Sequence, residues 1–439
     1  MSSHSSRCFR RLMLAVSCSA SGVAVGGDLN PPAGPIAPTQ RTPLGANTTP
    51  GDADSTFRIG AGGSYFLTGD VVGEVGKAGI EIAADNVSLD LSGFTLSGVA
   101  GSLDGISVPA AQFNLSIHDG VIRGWGEDGL DARLCRNSRV ERLRASHNAV
   151  NGLYIGQQHN VTPPSPTTGG NSLVDCTAEG NGIDGLVTGA NVIVRGCVAS
   201  ANIGVGIRAN AGCTVADCTA SKNSVGIAAG AGTTVRHCTT LFNTPGMFSG
   251  AGISLGENSV AIGNTSASNA YGILATGQNT VVANNSCYNN RNSGSGVGIS
   301  MSGAGGRIEG NALSINDIGI QAEVRTQILN NTVMSSGPGS SDGIQVRREC
   351  FVMNNNCWSG APSGGAGIHV LDADNRIEAN NVTAYVRGID VDVAGNLIIR
   401  NSASGNTTNY DIVAGNTVGP TVTSATIAGS SNPHANYDF

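Results

Sequence analysis

A chain of 439 residues has room for two or three ordinary domains, yet only 13% of its residues are charged, 4% are aromatic and 64 are glycine. That composition suits short strands with frequent turns and excludes a body built from long surface helices. The formal net charge of -7 supplies no basic footprint for nucleic acid or an anionic membrane.

Arg7, Arg10 and Arg11 precede an apolar stretch from Leu12 to Val16, followed by small residues to Gly27. This reads as an export signal over residues 1–27, which places the mature chain outside the cytoplasm, secreted or at the cell surface. Ala15-Val16-Ser17 is a poor lipobox, so lipid attachment at Cys18 is not expected. No later segment is long and apolar enough to be a transmembrane helix. Residues 28–56 form a Pro-rich leader. Phe57, Ile59, Tyr65 and Leu67 then alternate as a strand does, and Ile80 to Leu96 repeats the habit. Residues 57–104 are predicted to be an N-terminal cap and first coil, shielding the open edge of the stack.

From Gly79 to Gly388 a Gly-Ile or Gly-Leu pair recurs at intervals of 20 to 33 residues. Such self-similarity marks a solenoid, in which each repeat buries its apolar face only against its neighbours. One register collects Cys176, Cys197, Cys218, Cys238, Asn264, Asn284, Asn311, Asn331, Asn355, Asn380 and Asn401. A small thiol packs inside as an apolar group, whereas Asn survives inside only when its amide is hydrogen-bonded. The register is therefore predicted to be an interior ladder, bonded from rung to rung. Five residues on stands a second file: Asn148, Asn181, Asn202, Asn223, Asn243, Asn269, Asn289, Asn316 and Asn406. These read as turn residues in left-handed backbone, with the following Gly adding a second bend. Leucine-rich repeats also use an Asn/Cys ladder, but Leu is sparse here and the half-repeat that would be helical is Gly, Ser, Asn and Thr. The predicted architecture is an all-β, right-handed parallel β-helix of about 14 coils, with the helix over 105–412 and a C-terminal tail or cap over 413–439.

Gly206-Ile207, Val215-Ala216-Asp217-Cys218 and Asn223 resemble the repeats of right-handed parallel β-helix proteins of the pectate-lyase-like superfold. More narrowly, three segments resemble a group of secreted bacterial β-helix proteins without a settled biochemical role. They are Asn47-Thr48-Thr49-Pro50-Gly51-Asp52-Ala53-Asp54-Ser55, Gly63-Ser64-Tyr65-Phe66-Leu67-Thr68-Gly69 and the ending Asn432-Pro433-His434-Ala435-Asn436. The resemblance implies the fold. The wider superfold includes polysaccharide lyases, glycoside hydrolases, epimerases, tailspikes and adhesins, so fold alone selects no reaction.

A lyase of this fold needs carboxylates for calcium and a basic residue to take the proton, and a hydrolase needs carboxylates opposed across a cleft. Asp104, Asp128, Asp184 and Asp342 each precede the Gly of a rung, and the densest polar patch of the chain surrounds the first two. Its catalytic candidates are Asp104, Asp128, Asp131, Arg123 and His118, with Asp119, Glu127, Arg133 and His147 nearby. Asp-Gly is also ordinary turn chemistry, and the signature motifs Asp-Pro-His-Glu, Gly-His-Gly and Arg-Ile-Lys are absent. The seven His read as surface or satisfied core residues. Trp125, Tyr154, Tyr288 and Trp358 are candidate sugar-stacking platforms. Enlarged loops at Thr244–Ala251, Asn290–Val297, Ser335–Asp342, Trp358–Ala366 and Gln157–Ser172 are candidate groove walls. Cysteines stacked at the strand spacing of about 4.8 Å are too far apart for disulfides, so buried free thiols are expected. Cys135, Cys213, Cys287, Cys350 and Cys357 fall outside the ladder without metal-ligand spacing, and neither zinc nor a cofactor is expected.

The sequence thus favours a non-catalytic, exported β-helix that presents its surface to extracellular polysaccharide or cell surfaces. A lyase or hydrolase, with calcium under the lyase reading alone, is the alternative; a structural envelope protein is the third.

Overall fold

Most coils consist of three short strands and three corners, as the coil beginning at Val205 illustrates. Val205–Ala209, Thr214–Ala216 and Thr219–Ser221 are its strands, and Val225 opens the next coil. Each corner is a residue at positive φ followed by an inward side chain: Gly212 before Cys213, Asp217 (φ 56°) before Cys218, and Lys222 (φ 57°) before Asn223. The left-handed residue turns the chain, and the next side chain drops into the core.

In this computed structural model the described residues are 41–157, 169–243, 250–335, 342–360 and 365–439. The export signal, Cys18 and most of the leader lie outside them. So do the interiors of four of the five enlarged loops, at 158–168, 244–249, 336–341 and 361–364. Among the described residues, sixteen strands stack in parallel as one sheet (sheet I), carrying the Gly-Ile register. Thirty-two strands form a second sheet (sheet II), with two limbs meeting at the second corner of most coils. The pairing begins before Phe57: Thr42–Pro43 pairs with Tyr65–Phe66, and Ser55–Ile59 is the first strand of sheet I. At the other end Asn436–Asp438 pairs with Thr421–Thr423 and with the strand at Ser402.

The apolar member of the Gly-Ile pair points inward on every rung, from Ile80 and Ile106 to Ile368 and Ile389, and is fully buried. Burial of such a side chain contributes roughly 1.5–3 kcal/mol. The glycine before it is required for room, not for bending as the sequence suggested. A Cβ on Gly206 would lie 2.6 Å from the Asn223 amide nitrogen and 2.7 Å from the carbonyl oxygen of Gly226 on the next rung.

Three ladders line the corners. At the second corner the Cys-to-Asn ladder is present, with one correction: Asn285, not Asn284, is its member. Asn264 donates through its backbone N–H (2.9 Å) and its amide (2.9 Å) to Asn285 Oδ1, and Asn285 repeats the pattern on Asn311. Asn284 is the left-handed residue of that corner, at φ 55°. Asn436 extends the ladder past Asn401, accepting its N–H at 3.0 Å. A typical amide here is fully engaged. Asn355 accepts two bonds from Asn331 and donates to Asn380 and to the carbonyl of Ile328. An unmade bond of this kind costs about 1–3 kcal/mol, more than a made one contributes.

The second file is also an interior ladder and not a set of left-handed turn residues. Asn148, Asn181, Asn202, Asn223, Asn243 and Asn269 are buried and bonded in succession, and Asn290, not Asn289, continues to Asn316. The positive φ belongs to the preceding residue, as at His147, Lys222, Phe242 and Asn289. The first corner carries a ladder that sequence reading did not find: Asn171, Cys213, Thr233, Ser259, Asn375 and Asn396 accept the backbone N–H of the coil before, and Cys350 donates its own N–H to Asn375. Cys213 and Cys350 are thus corner residues. Cys287 and Cys357 point inward from strands of the second limb. All nine described cysteines are buried and free, and burial pushes the Cys287 and Cys357 thiols up to about 12.

Candidate functional site

The early carboxylates are arranged as a fourth ladder, on the edge of sheet I. Asp104 Oδ1 accepts the N–H of Asp128 at 3.0 Å, and Asp128 Oδ1 accepts both the N–H and the amide of Asn151 at 2.8 and 2.9 Å. Asn151 Oδ1 accepts the N–H of Asp184 at 3.2 Å, and Asp184 Oδ1 that of Val205 at 2.6 Å. Arg208 closes the file on Asp184. Asn151, between two Asp positions, is therefore a continuation of the ladder.

Asp131 points outward from the next position and joins this group through Arg133, whose guanidinium spans Asp131 (2.8 Å) and Asp128 (3.2 Å) and lies 4.9 Å from the Tyr154 ring. Burial, then the neighbouring Asp131, pushes Asp104 up to about 7, and burial also raises Asp128. The two remaining catalytic candidates do not converge here. Arg123 belongs to sheet II and faces Ser97, with its Nε 3.4 Å from Ser97 Oγ. His118, also on sheet II, pairs with Asp119 at 2.8 Å. Asp119 is held down at about 2 chiefly by Arg142, which grips both of its oxygens.

The four aromatic candidates divide evenly. Trp125 is not a surface platform: it occupies the third-corner ladder position one rung before Asn148, is 1% exposed and donates Nε1–H to the carbonyl of Leu96 at 3.2 Å. Tyr154 is buried beneath Arg133. Tyr288 and Trp358, 46% and 45% exposed, both stand on the second limb of sheet II. The register runs Tyr288, Ser314, Met334, Trp358, which puts both rings in one outward column three rungs apart, about 14 Å at the strand spacing.

A further cluster lies on the outer face of sheet I near its C-terminal end, where no site was read from the sequence. His369 and Asp390 are register partners on adjacent strands. His369 Nδ1 lies 2.8 Å from Asp342 Oδ2, and its Nε2 lies 3.1 Å from Asp392 Oδ2 and 3.6 Å from Asp390 Oδ2. Asp342 is fixed from three sides: Gln345 also donates to its Oδ2 at 3.1 Å, and its Oδ1 accepts the N–H of Ala366 at 2.8 Å. The Asp342 bond, reinforced by Asp392 and Asp390, pushes His369 up to about 9. Burial raises Asp390, whose Oδ2 makes no hydrogen bond although Arg387 Nε is 2.9 Å away.

Of the enlarged loops, Asn290–Val297 is fully described. It folds round Asp317, whose carboxylate accepts the N–H groups of Asn292, Gly294 and Gly296 and pairs with Arg291. No helix among the described residues is long and apolar enough to cross a membrane.

No protein-family model and no curated protein matches the chain. Among solved structures, a tailspike protein mutant of E. coli bacteriophage HK620 in complex with pentasaccharide is similar, with 13% identity and a TM-score of 0.45 over 74% of this chain and 69% of that one. The A-module of an Azotobacter vinelandii mannuronan C-5 epimerase is similar with 14% identity and a TM-score of 0.37, over 81% and 91% of the two chains. The Agl-KA catalytic domain gives 12% and 0.35, over 79% and 58%. No residue's role is carried over from matches this distant.

Proposed function

We propose that the chain is an exported, non-catalytic β-helix whose second limb of sheet II binds an extended, uncharged polysaccharide outside the cell. The reading is carried by the single outward column that holds Tyr288 and Trp358, half exposed and three rungs apart. An aromatic face packs well on the apolar face of a pyranose ring, and two faces spaced along one column engage successive parts of a linear chain. The surroundings favour an uncharged ligand. Outward positions of this limb from Thr265 to Ser404 are Thr, Ser, Ala, Asn, Met, Tyr and Trp, with no charged side chain among them, on a chain of net charge -7.

Export rests on Arg7, Arg10 and Arg11 with the apolar stretch after them. The early carboxylates are occupied in holding turns, and Arg123 is on the other sheet, which favours binding over turnover.

Affinity electrophoresis of the full chain through gels containing neutral or uronate polysaccharides tests the reading. Retardation by a neutral glycan is expected, and Tyr288→Ala or Trp358→Ala should each weaken it by about tenfold, the equivalent of ~1.4 kcal/mol. Binding that survives the double substitution, or retardation by uronates alone, rules the column out. No binding to any glycan would return the chain to a structural role in the envelope.

A further inference from the structure

On a different face from the aromatic column, we propose that His369, Asp390 and Asp392 form a divalent-cation site, with Asp342 holding the imidazole from behind. The three donor atoms lie within 4.8 Å of one another. The two separations from His369 Nε2, 3.1 and 3.6 Å, approximate those of neighbouring ligands around an ion with bonds of about 2.1 Å.

The imidazole is already oriented for this role. Its Nδ1 faces Asp342, itself fixed by Gln345 and the backbone of Ala366, so Nδ1 keeps its proton and a cation taking the place of the Nε2 proton would meet the Nε2 lone pair beside the two remaining carboxylates. A second, independent observation concerns Asp390 Oδ2. Its side chain is only 4% exposed, yet this oxygen has no hydrogen bond and is held only by ion pairs, with Arg387 Nε at 2.9 Å and His369 Nε2 at 3.6 Å. A buried carboxylate oxygen without a donor is costly, and a bound cation removes that cost. Charge agrees: among the described residues, Asp342, Asp390 and Asp392 face one guanidinium, that of Arg387, which leaves an excess of two negative charges for a neutral imidazole and a divalent ion.

The two other groups of potential ligands among the described residues differ in this respect. In Asp90, His118 and Asp119, the last is gripped by Arg142, and in Asp52, Asp54 and Glu81 the acids are partly or fully exposed and Arg58 pairs with two of them. One imidazole with two carboxylates suits Zn2+ or Mn2+ better than Ca2+, which prefers six to eight oxygens.

The test is calorimetry of the chelator-treated full chain with Mn2+ and with Zn2+, together with the electron spin resonance of bound Mn2+. We expect one ion per chain and nitrogen coupling from a coordinated imidazole. His369→Gln and Asp390→Asn should abolish the tight site, and Asp342→Asn should weaken it about 10- to 100-fold. Asp119→Asn should leave it unchanged. The spectrum of the wild-type chain does not depend on any variant folding. Uptake of no ion at millimolar concentration, a Mn2+ signal without nitrogen coupling, or His369→Gln and Asp390→Asn variants that bind as the wild type does, would overturn the site.

Discussion

Two acidic groups occupy sheet I, and they have opposite fates. In the early group, Asp104, Asp128 and Asp184 each receive an N–H from the rung that follows, and Arg133 and Arg208 neutralise what is left. In the late group, Asp342 does the same for Ala366, but Asp390 has no rung N–H on its Oδ2 and instead faces His369. The same residue type on the same sheet thus braces a rung at one end and faces the side chains of His369 and Arg387 at the other. What differs is position on the strand: Asp342 precedes the glycine, where the next coil's N–H is available, whereas Asp390 follows the isoleucine and points out of the sheet.

The contrast breaks first at Asp128. Asp128→Ala strands the N–H and amide of Asn151, so chemical denaturation should show a loss of about 2–3 kcal/mol. Next is pH. The folded chain holds a proton on Asp104 up to about pH 7, where the unfolded carboxyl, near 3.8, has released it. The folded state therefore binds more protons between those values. Its advantage is complete below about pH 4 and is lost as pH rises to about 7. Melting temperatures of Asp104→Asn should lack that decline while still accepting the Asp128 N–H. Asp128, whose carboxyl burial also raises, should retain a dependence of the same sign. In the late group the sign reverses. In metal-free buffer, Asp390→Asn removes a buried charge lacking a hydrogen bond and should leave stability unchanged or raise it by about 1 kcal/mol. Arg133→Ala, at a half-exposed guanidinium, should cost under about 1 kcal/mol.

The coil architecture was legible because the Gly-Ile pair and the second-corner Cys and Asn repeat in nearly constant phase. Its one slip, Asn284 for Asn285 and Asn289 for Asn290, falls where the chain doubles every cue. Val281-Val282, Asn284-Asn285 and Asn289-Asn290 allow two registers, and only burial separates them. The first-corner ladder escaped notice because Asn, Cys, Thr and Ser share it, four residue types that can each accept one N–H. Trp125 was mistaken for a platform although it stands 23 residues before Asn148, in phase with the third corner. The His369 cluster was dispersed over 51 residues of sequence, yet aligning the last coils on their glycines places His369 and Asp390 at one position.

The regular corners also make the chain editable in whole numbers. Residues 205–224 are one complete turn, since Val205 pairs with Val225, Thr214 with Thr234 and Thr219 with Thr239. Excising those twenty residues joins Gly204 to Val225 and at one stroke offers Asn243 to Asn202, Cys238 to Cys197 and Thr233 to Val192. Removing nineteen or twenty-one would leave a one-residue mismatch at the junction, which a corner of the joined coils would have to absorb.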